Sequence, residues 1–241
     1  MPIDYQGIYV LLSGMLMQER KLEIITNNLA NVDTPAFKMD VWLVSLWDTP
    51  NGQREPDNSP ENPTNNFMYP LMERVSVVML QGPIRETGNP LDLAIEGEGF
   101  FAVRSEGQIF YTRKGNFRID REGYLVNELG MRVLDEEGRD IRVVGNLKVA
   151  PDGTLFTGEG PIGRLGVYTL NQPQKVGRDL FTGQPQRAQN FKVMQGFLEG
   201  SNVNPILEMA KLIETHRAHE VYSNLIRALD QTHERAINSL V

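Results

Sequence analysis

Few residues in this sequence have the types and spacing that chemistry requires. Gly97-Glu98-Gly99-Phe100-Phe101-Ala102 fits the dinucleotide pattern G-x-G-x-x-A and follows a strand-like run, with Asp120 beyond it. In that role the glycines would bring a pyrophosphate onto backbone N–H groups at a helix N-terminus, and the acid would hold a ribose hydroxyl. Here Phe-Phe-Ala-Val-Arg-Ser reads as another strand where the helix should begin, so the glycines are expected to make a hairpin turn with positive φ. His216 with Glu220 at i,i+4, and His219 one turn away, could seed a metal site. No zincin spacing supplies the remaining ligand, and a polar helix face or a subunit contact explains them as well. Asp92, Glu96, Glu98 and Asp120 offer carboxylates for a hydrolase or nucleotide site, which would need two of them held across a cleft. Glu136-Glu137 sits in an apparent turn and reads as solvated. There is no G-x-S-x-G elbow, no Walker A sequence and no cysteine, so serine-elbow, phosphate-loop and thiolate chemistry have no candidate. No catalytic, cofactor-binding or metal residue is assigned, and the four carboxylates remain as the enzymatic alternative.

The chain has 241 residues, 40% of them hydrophobic, and a net charge of −7 with both signs mixed along its length. That balance argues against phosphate-backbone binding, so no nucleic-acid partner is expected. No window approaches the run of about 20 apolar residues that a spanning helix needs. Met-Pro-Ile-Asp-Tyr-Gln-Gly lacks a basic n-region, and the run from Ile8 to Leu16 is followed by no clear cleavage site, so a cleaved signal is not expected.

The elements that would position such residues fall into three zones. From Asp4, a candidate N-cap, to about Ala30, the positions Ile8, Leu11, Met15, Gln18, Leu22, Ile25 and Leu29 follow spacings of 3, 4, 3, 4, 3, 4. This is a heptad seam, which presents a narrow stripe to a partner helix. At the other end Asn204-Pro205 reads as an N-cap and first helical residue, and no glycine or proline follows. Ile206, Met209, Ala210 and Ile213, then Ala218, Val221, Leu225, Ala228, Thr232 and Ala236, form its stripe. The two helices would be about 40 and 54 Å long at 1.5 Å per residue.

Between them, residues 49 to 70 are rich in turn formers and nearly free of apolar side chains, which predicts a mobile loop. Beyond about Arg74 the chain turns to short β-like runs, with glycines at 107, 115, 123, 130, 138, 145 and 153 in gaps of 8, 8, 7, 8, 7, 8. A short strand and a turn, repeated, predict an antiparallel all-β domain. The residues between these glycines share no side-chain pattern, so the zone reads as a meander or barrel-like sheet and not a solenoid. The expected fold is α+β: terminal helices (1–32 and 204–241) pairing as a coiled coil or on neighbouring subunits, with an all-β domain (74–195) looped out between them. A linker with a partly disordered loop (33–73) and a connector (196–203) join the parts. A soluble coiled-coil adaptor would share this pattern.

Two polar clusters border the seams. Thr26-Asn27-Asn28-Leu29-Ala30-Asn31-Val32-Asp33-Thr34-Pro35 closes the first helix, and Gly196-Phe197-Leu198-Glu199-Gly200-Ser201-Asn202-Val203-Asn204-Pro205 opens the second. Asparagines there can terminate helices, or their amides can fix register between helices or subunits.

At these clusters the chain resembles the flagellar basal-body rod and hook proteins. Ser13-Gly14-Met15, Asn27-Asn28-Leu29-Ala30-Asn31-Val32, Thr34 and Phe37-Lys38 are similar to the family's N-terminal signature. Leu198 through Asn204, Glu208-Met209, Arg217 and Glu220 resemble its C-terminal signature. Thr87 through Ile95, Gly97 through Phe101, Tyr111-Thr112-Arg113, Gly115, Phe117 and Asp120 are similar to the central region shared by rod proteins. Gly7-Ile8-Tyr9-Val10 and the moderate length look more like proximal than distal rod members. Ala36 stands where the family usually has glycine, so either the turn is strained or it differs here.

The resemblance implies a structural subunit of the rod, not an enzyme, without cofactor. Its terminal helices would form a coiled coil lining the inner tube of a helical assembly. Its partners would be itself, other rod proteins and the flagellar type III export apparatus, without membrane insertion, and its place would be the periplasmic rod of the basal body. The residues expected to carry assembly are Leu22, Ile25, Asn27, Asn28, Leu29, Ala30, Asn31, Thr34 and Phe37 on the N-terminal side. On the C-terminal side they are Leu198, Glu199, Gly200, Ser201, Asn202, Val203, Asn204, Glu208, Met209, Val221 and Leu225.

Overall fold

The computed structural model describes residues 6–46, 70–177 and 179–238. Asp4 and most of the turn-rich stretch read as a mobile loop lie outside the described residues. Two helices, α1 (Gln6–Ala30) and α2 (Pro205–Asn238), flank a long series of strands. The chain divides into two compact units.

The first unit holds both helices with β1 (Asp40–Leu46) and most of β2 (Pro70–Val77), which form a two-stranded sheet. The stretch read as a linker is therefore divided: 40–46 and 70–76 are strand in this unit, whereas 31–39 belong to the other. Helix α2 starts where its sequence says it should. Asn204 Oδ1 accepts from the N–H groups of Ile206 (3.1 Å) and Leu207 (3.2 Å), and Pro205 takes the position where a missing N–H costs nothing. The helices run antiparallel. A Cβ built on Gly14 would lie 2.7 Å from the Tyr222 ring, and Asn28 bonds Glu208, so fourteen residues on one helix match fourteen on the other. That overlap is about 21 Å of helix.

The second unit is all-β. In chain order its strands are β3 (Ile84–Glu86), β4 (Leu93–Gly97), β5 (Phe100–Ser105), β6 (Gln108–Thr112), β7 (Arg118–Ile119), β8 (Leu125–Val126) and β9 (Arg132–Val133). Then come β10 (Lys148–Val149), β11 (Thr154–Thr157), β12 (Gly160–Arg164), β13 (Val167–Lys175), β14 (Leu180–Arg187), β15 (Phe191–Gln195) and β16 (Phe197–Glu199). The largest sheet runs β13-β14-β6-β5-β9-β8-β7, and β13 also pairs with β5 through Val167↔Phe101 and Tyr168↔Phe100. Strands β5, β6, β14 and β13 thus close into an antiparallel four-strand ring. Its β5 is buried on both faces, which is why Phe100-Phe101-Ala102-Val103 is an unbroken apolar run. Phe101 and Val103 enter the larger core with Leu93, Leu125, Leu155 and Val167, while Phe100 and Ala102 join Tyr111 and Phe181 in a smaller one.

Three of the seven spaced glycines share an upstream residue type. Asp120, Asn127 and Asp135 each stand three residues before a glycine, and each carbonyl accepts from that glycine's N–H at 3.0–3.1 Å. Each side-chain Oδ1 also takes two backbone N–H groups: Glu122 and Tyr124, Leu129 and Met131, Glu137 and Arg139. Gly123, Gly130 and Gly138 have φ of 87°, 79° and 78°, values that side chains resist. These three turns share one form: an Asx, two free positions, then glycine.

Candidate functional site

In the helical unit, the first asparagine cluster fixes chain direction after α1. Asn28 Nδ2 donates to Asp40 O (2.9 Å) while its Oδ1 accepts Asp40 N–H (2.9 Å), clasping that residue as a strand neighbour would. The same Nδ2 lies 3.3 Å from Glu208 Oε2, and Lys211 Nζ donates to Glu208 Oε1 at 2.6 Å. Glu208 is buried, so these contacts are what make its charge tolerable there. Asn27 donates to Asp40 Oδ2 at 3.1 Å. Ile25 is buried, Leu22 and Leu29 are half-buried, and Ala30 is exposed. Gln18 Oε1 and Thr215 Oγ1 are buried without a hydrogen-bond partner.

Apolar side chains on α2 face two ways. Tyr222 lies against α1, and Leu212, Ala218, Ile226 and Leu229 are half-buried beside the buried Glu208 and Thr215. The stripe read from the sequence is largely the other one: Ile206 (81% exposed), Met209 (54%), Ile213 (55%), Val221 (56%) and Leu225 (46%). Hydropathy favours this outer stripe because the inner one includes polar residues.

In the β unit the second cluster converges on one carboxylate. Glu199 is 1% exposed, and its Oε1 receives Lys38 Nζ at 2.6 Å and Gly82 N–H at 2.9 Å, while Oε2 receives Arg113 Nε at 2.9 Å. Its main-chain carbonyl takes the N–H of Ala36 at 2.8 Å. Lys38 also donates to Leu80 O at 2.8 Å. Burial holds the Lys38 ammonium below the ordinary lysine range, opposed by the attraction of Glu199. Neighbouring Phe37 is buried under Lys175, whose Nζ stands 4.3 Å from the ring centroid. Asn202 stitches the same region: its Oδ1 accepts Met39 N–H (2.7 Å) and its Nδ2 donates to Val78 O (2.8 Å) and Leu80 O (3.0 Å). Asn31 and Val203 are buried, Leu198 is half-buried, and Gly200 N–H donates to Pro83 O at 2.8 Å. Thr34 Oγ1 stands 3.2 Å from Asn31 Oδ1, and buried Ser201 accepts Val203 N–H through Oγ. Lys38 and Arg113 are central to this cluster yet carry no assembly role in the sequence reading. The available signal was the glutamate beside apolar Phe197 and Leu198 at the end of that strand.

The G-x-G segment belongs to the same network. Gly97 (φ 97°) and Gly99 (φ 141°) turn the chain from β4 into β5 with the positive φ expected of them, but the turn is not a hairpin: β4 pairs with β15, and β5 with β6, β9 and β13. Their carbonyls accept from Arg113 Nη1 at 2.9 and 2.6 Å, and Ile95 O accepts from Nη2 at 3.2 Å. A turn that aims carbonyls at a cation has the polarity opposite to a phosphate cradle. The four carboxylates are separately placed: Asp92 takes Thr87 Oγ1 (2.7 Å) and Asn89 Nδ2 (3.1 Å), Asp120 organises its own turn, and Glu96 and Glu98 are exposed. His216 lies 3.5 Å from Glu220 on an exposed face, and no group of three metal-capable side chains occurs among the described residues. No helix among them is long and apolar enough to cross a membrane.

Polar residues spent on holding the connectors, together with an apolar stripe left outside, define a structural protein whose working parts are surfaces. The chain belongs to the flagellar basal-body rod protein family. Residues 8–38 match the model of the flagella basal body rod protein, 94–157 that of the flagellar hook protein FlgE/F/G D1 domain, and 194–240 that of the flagellar basal body rod FlgEFG protein C-terminal region. It is 34% identical over 238 residues to the flagellar basal-body rod protein FlgF of Caulobacter vibrioides, covering 95% of this chain and 94% of that one. To FlgF of Mesorhizobium japonicum it is 30% identical over 245 residues, 97% of each chain. To the rod protein FlgG of Agrobacterium fabrum it is 29% identical over 253 residues, 94% of this chain and 96% of that one. The family is structural, and the chain is a rod subunit and not an enzyme.

Proposed function

We propose that this chain is a proximal-rod subunit that polymerises through its terminal helices, as a coiled coil, into the inner tube of the flagellar drive shaft. The observation that carries this reading is the outer stripe of α2, where Ile206, Met209, Ile213, Val221 and Leu225 stay exposed in an acidic chain. Covering a large apolar side chain contributes about 1.5–3 kcal/mol, so several together suffice to drive helix docking. Leu12 and Leu16 of α1 are exposed in the same way and offer a matching surface on another copy or another rod protein. A heterologous contact of this kind, repeated without closing, grows a helical filament. The seam positions Leu22, Ile25 and Leu29 and the cluster around Asn28 hold the two helices of the unit in the pairing that leaves these stripes outside. The greater identity to the two FlgF relatives than to the FlgG relative supports the proximal assignment. The corresponding place is the periplasmic rod, reached through the flagellar export apparatus.

The test is a chain carrying Ile206→Gln, Ile213→Gln and Val221→Gln, returned to a strain lacking the gene. The monomer is expected to keep its circular dichroism spectrum, while basal bodies lack a complete rod and motility is lost. Full motility with this variant would overturn the reading.

A further inference from the structure

In the β unit, a pocket of about 240 Å³ opens beside β12, β13 and the segment after β14. Its floor is apolar: Leu165 and Val167 from the larger core, with Ala188 and Phe191 against it. Its mouth carries Arg164 and Arg187, whose Nη1 atoms each stand 3.9 Å from the same Glu136 Oε2. Elsewhere in the unit, Arg104, Arg113, Arg132 and Arg139 each hold a carboxylate oxygen within 3.1 Å. Here two guanidinium groups share one carboxylate, and neither reaches hydrogen-bond distance of it. Both are nevertheless aimed: Arg164 Nε donates to Asp152 O at 2.7 Å, and Arg187 Nη2 donates to Glu136 O at 3.0 Å, the carbonyl that also takes the Tyr168 hydroxyl at 3.3 Å.

We propose that this pocket is a docking site for an acidic segment of a partner protein, one carrying a carboxylate next to an apolar side chain. A guanidinium held by a main-chain carbonyl has already lost much of its rotamer freedom, so binding a second carboxylate costs it less. Its planar fork suits that group, and Glu136 at the mouth stands beyond hydrogen-bond reach of both arginines. The partly buried Ala188 and Phe191 distinguish the occupant from a bare phosphate or a nucleic-acid backbone, which would leave them uncovered. A volume of about 240 Å³ fits one or two side chains and not a drug-sized ligand, whose sites begin near 300 Å³. The inference stands independently of the rod assignment, since it uses only the β unit.

A random peptide library displayed on phage and panned on the full chain tests it. The expected result is a consensus with Asp or Glu adjacent to an apolar residue. A synthetic peptide of that consensus should bind at least tenfold more weakly to Arg164→Gln/Arg187→Gln, and equally to the control Arg139→Gln. Ala188→Trp fills the floor while keeping both arginines, and should abolish binding with the fold intact by circular dichroism. A consensus without acid, no enrichment, or equal binding to the arginine and tryptophan variants would overturn the proposal.

Discussion

Lys38 and Glu199, 161 positions apart in the chain, meet at 2.6 Å inside the β unit, with Arg113 on the other oxygen of the same carboxylate. One buried anion thus ties the segment that follows α1 to the segment that precedes α2 and to the strand region between them. Such a cluster is weak evidence for stability as a whole, because desolvation offsets most of the attraction, but it is intolerant of losing one member.

Glu199→Gln keeps the shape and leaves two buried cations without a counter-charge. It is expected to cost about 3–5 kcal/mol, read as a shift in the urea midpoint. Lys38→Met leaves Glu199 its bond to Arg113 and should cost less. A double-mutant cycle with both substitutions should show coupling; simple additivity would mean that the pair does not act as a unit.

Ala36 is buried and has φ of 56°, the left-handed region that glycine occupies freely. Alanine there carries strain of about 1–2 kcal/mol, whereas glycine would lose more chain entropy on folding. The balance predicts that Ala36→Gly stabilises the chain by about 0.5 kcal/mol, and that Ala36→Val, β-branched at positive φ, destabilises it by about 2 kcal/mol or more. Chemical denaturation of the three proteins checks the order Gly, Ala, Val.

Gly14 leaves room for the ring of Tyr222, since an added Cβ would sit 2.7–2.8 Å from two ring carbons. Gly14→Leu should therefore destabilise the helix pair by about 1–3 kcal/mol in spite of better helix propensity. Tyr222→Ala in the same chain should recover most of the loss, measured by thermal melting of the helical signal. Failure of the second change to rescue the first would place the clash elsewhere.

Acid should weaken the β unit. The Lys114 ammonium holds the Glu128 carboxyl below the usual range, and the Thr154 N–H does the same for Asp152. Burial pushes Asp135 up, but the Arg139 N–H and guanidinium, with the Glu137 N–H, outweigh it and leave that carboxyl low as well. Each folded pKa lies below its unfolded value, so the unfolded chain binds more protons in the window between the two. The contribution is complete above the ordinary carboxylate pKa of about 4 and is lost as pH falls through the folded values. The melting temperature should be level from pH 7 to 5 and then decline, and Asp135→Asn should flatten part of that decline.

Much of this was legible in the sequence because it rests on local rules. Asn204-Pro205 starts α2 as such a pair should, and six of the seven spaced glycines mark turns, Gly115 instead packing closely on the Leu93 carbonyl. The residues after the G-x-G segment read as strand formers, and they are strand β5. The grouping of residues 31–39 with the β unit was not legible, since it depends on Phe37 and Lys38 meeting partners more than a hundred residues away. Nor was the split of α2 into two stripes. A heptad count rewards apolar residues, and the stripe facing α1 contains Glu208 and Thr215. The Asx-x-x-Gly turns were available in principle, but their signal lies three residues upstream of the glycine that draws attention.

The closed ring of β5, β6, β14 and β13 bears on how such a molecule can safely polymerise. A chain kept at high local concentration along a filament risks unprogrammed growth wherever a strand offers a bare row of N–H and C=O groups. Ring closure gives these four strands neighbours on both sides, β7 at the end of the sheet is only two residues long, and β12 at the margin of its own sheet carries Pro161. Strand-to-strand accretion is thereby discouraged along these strands.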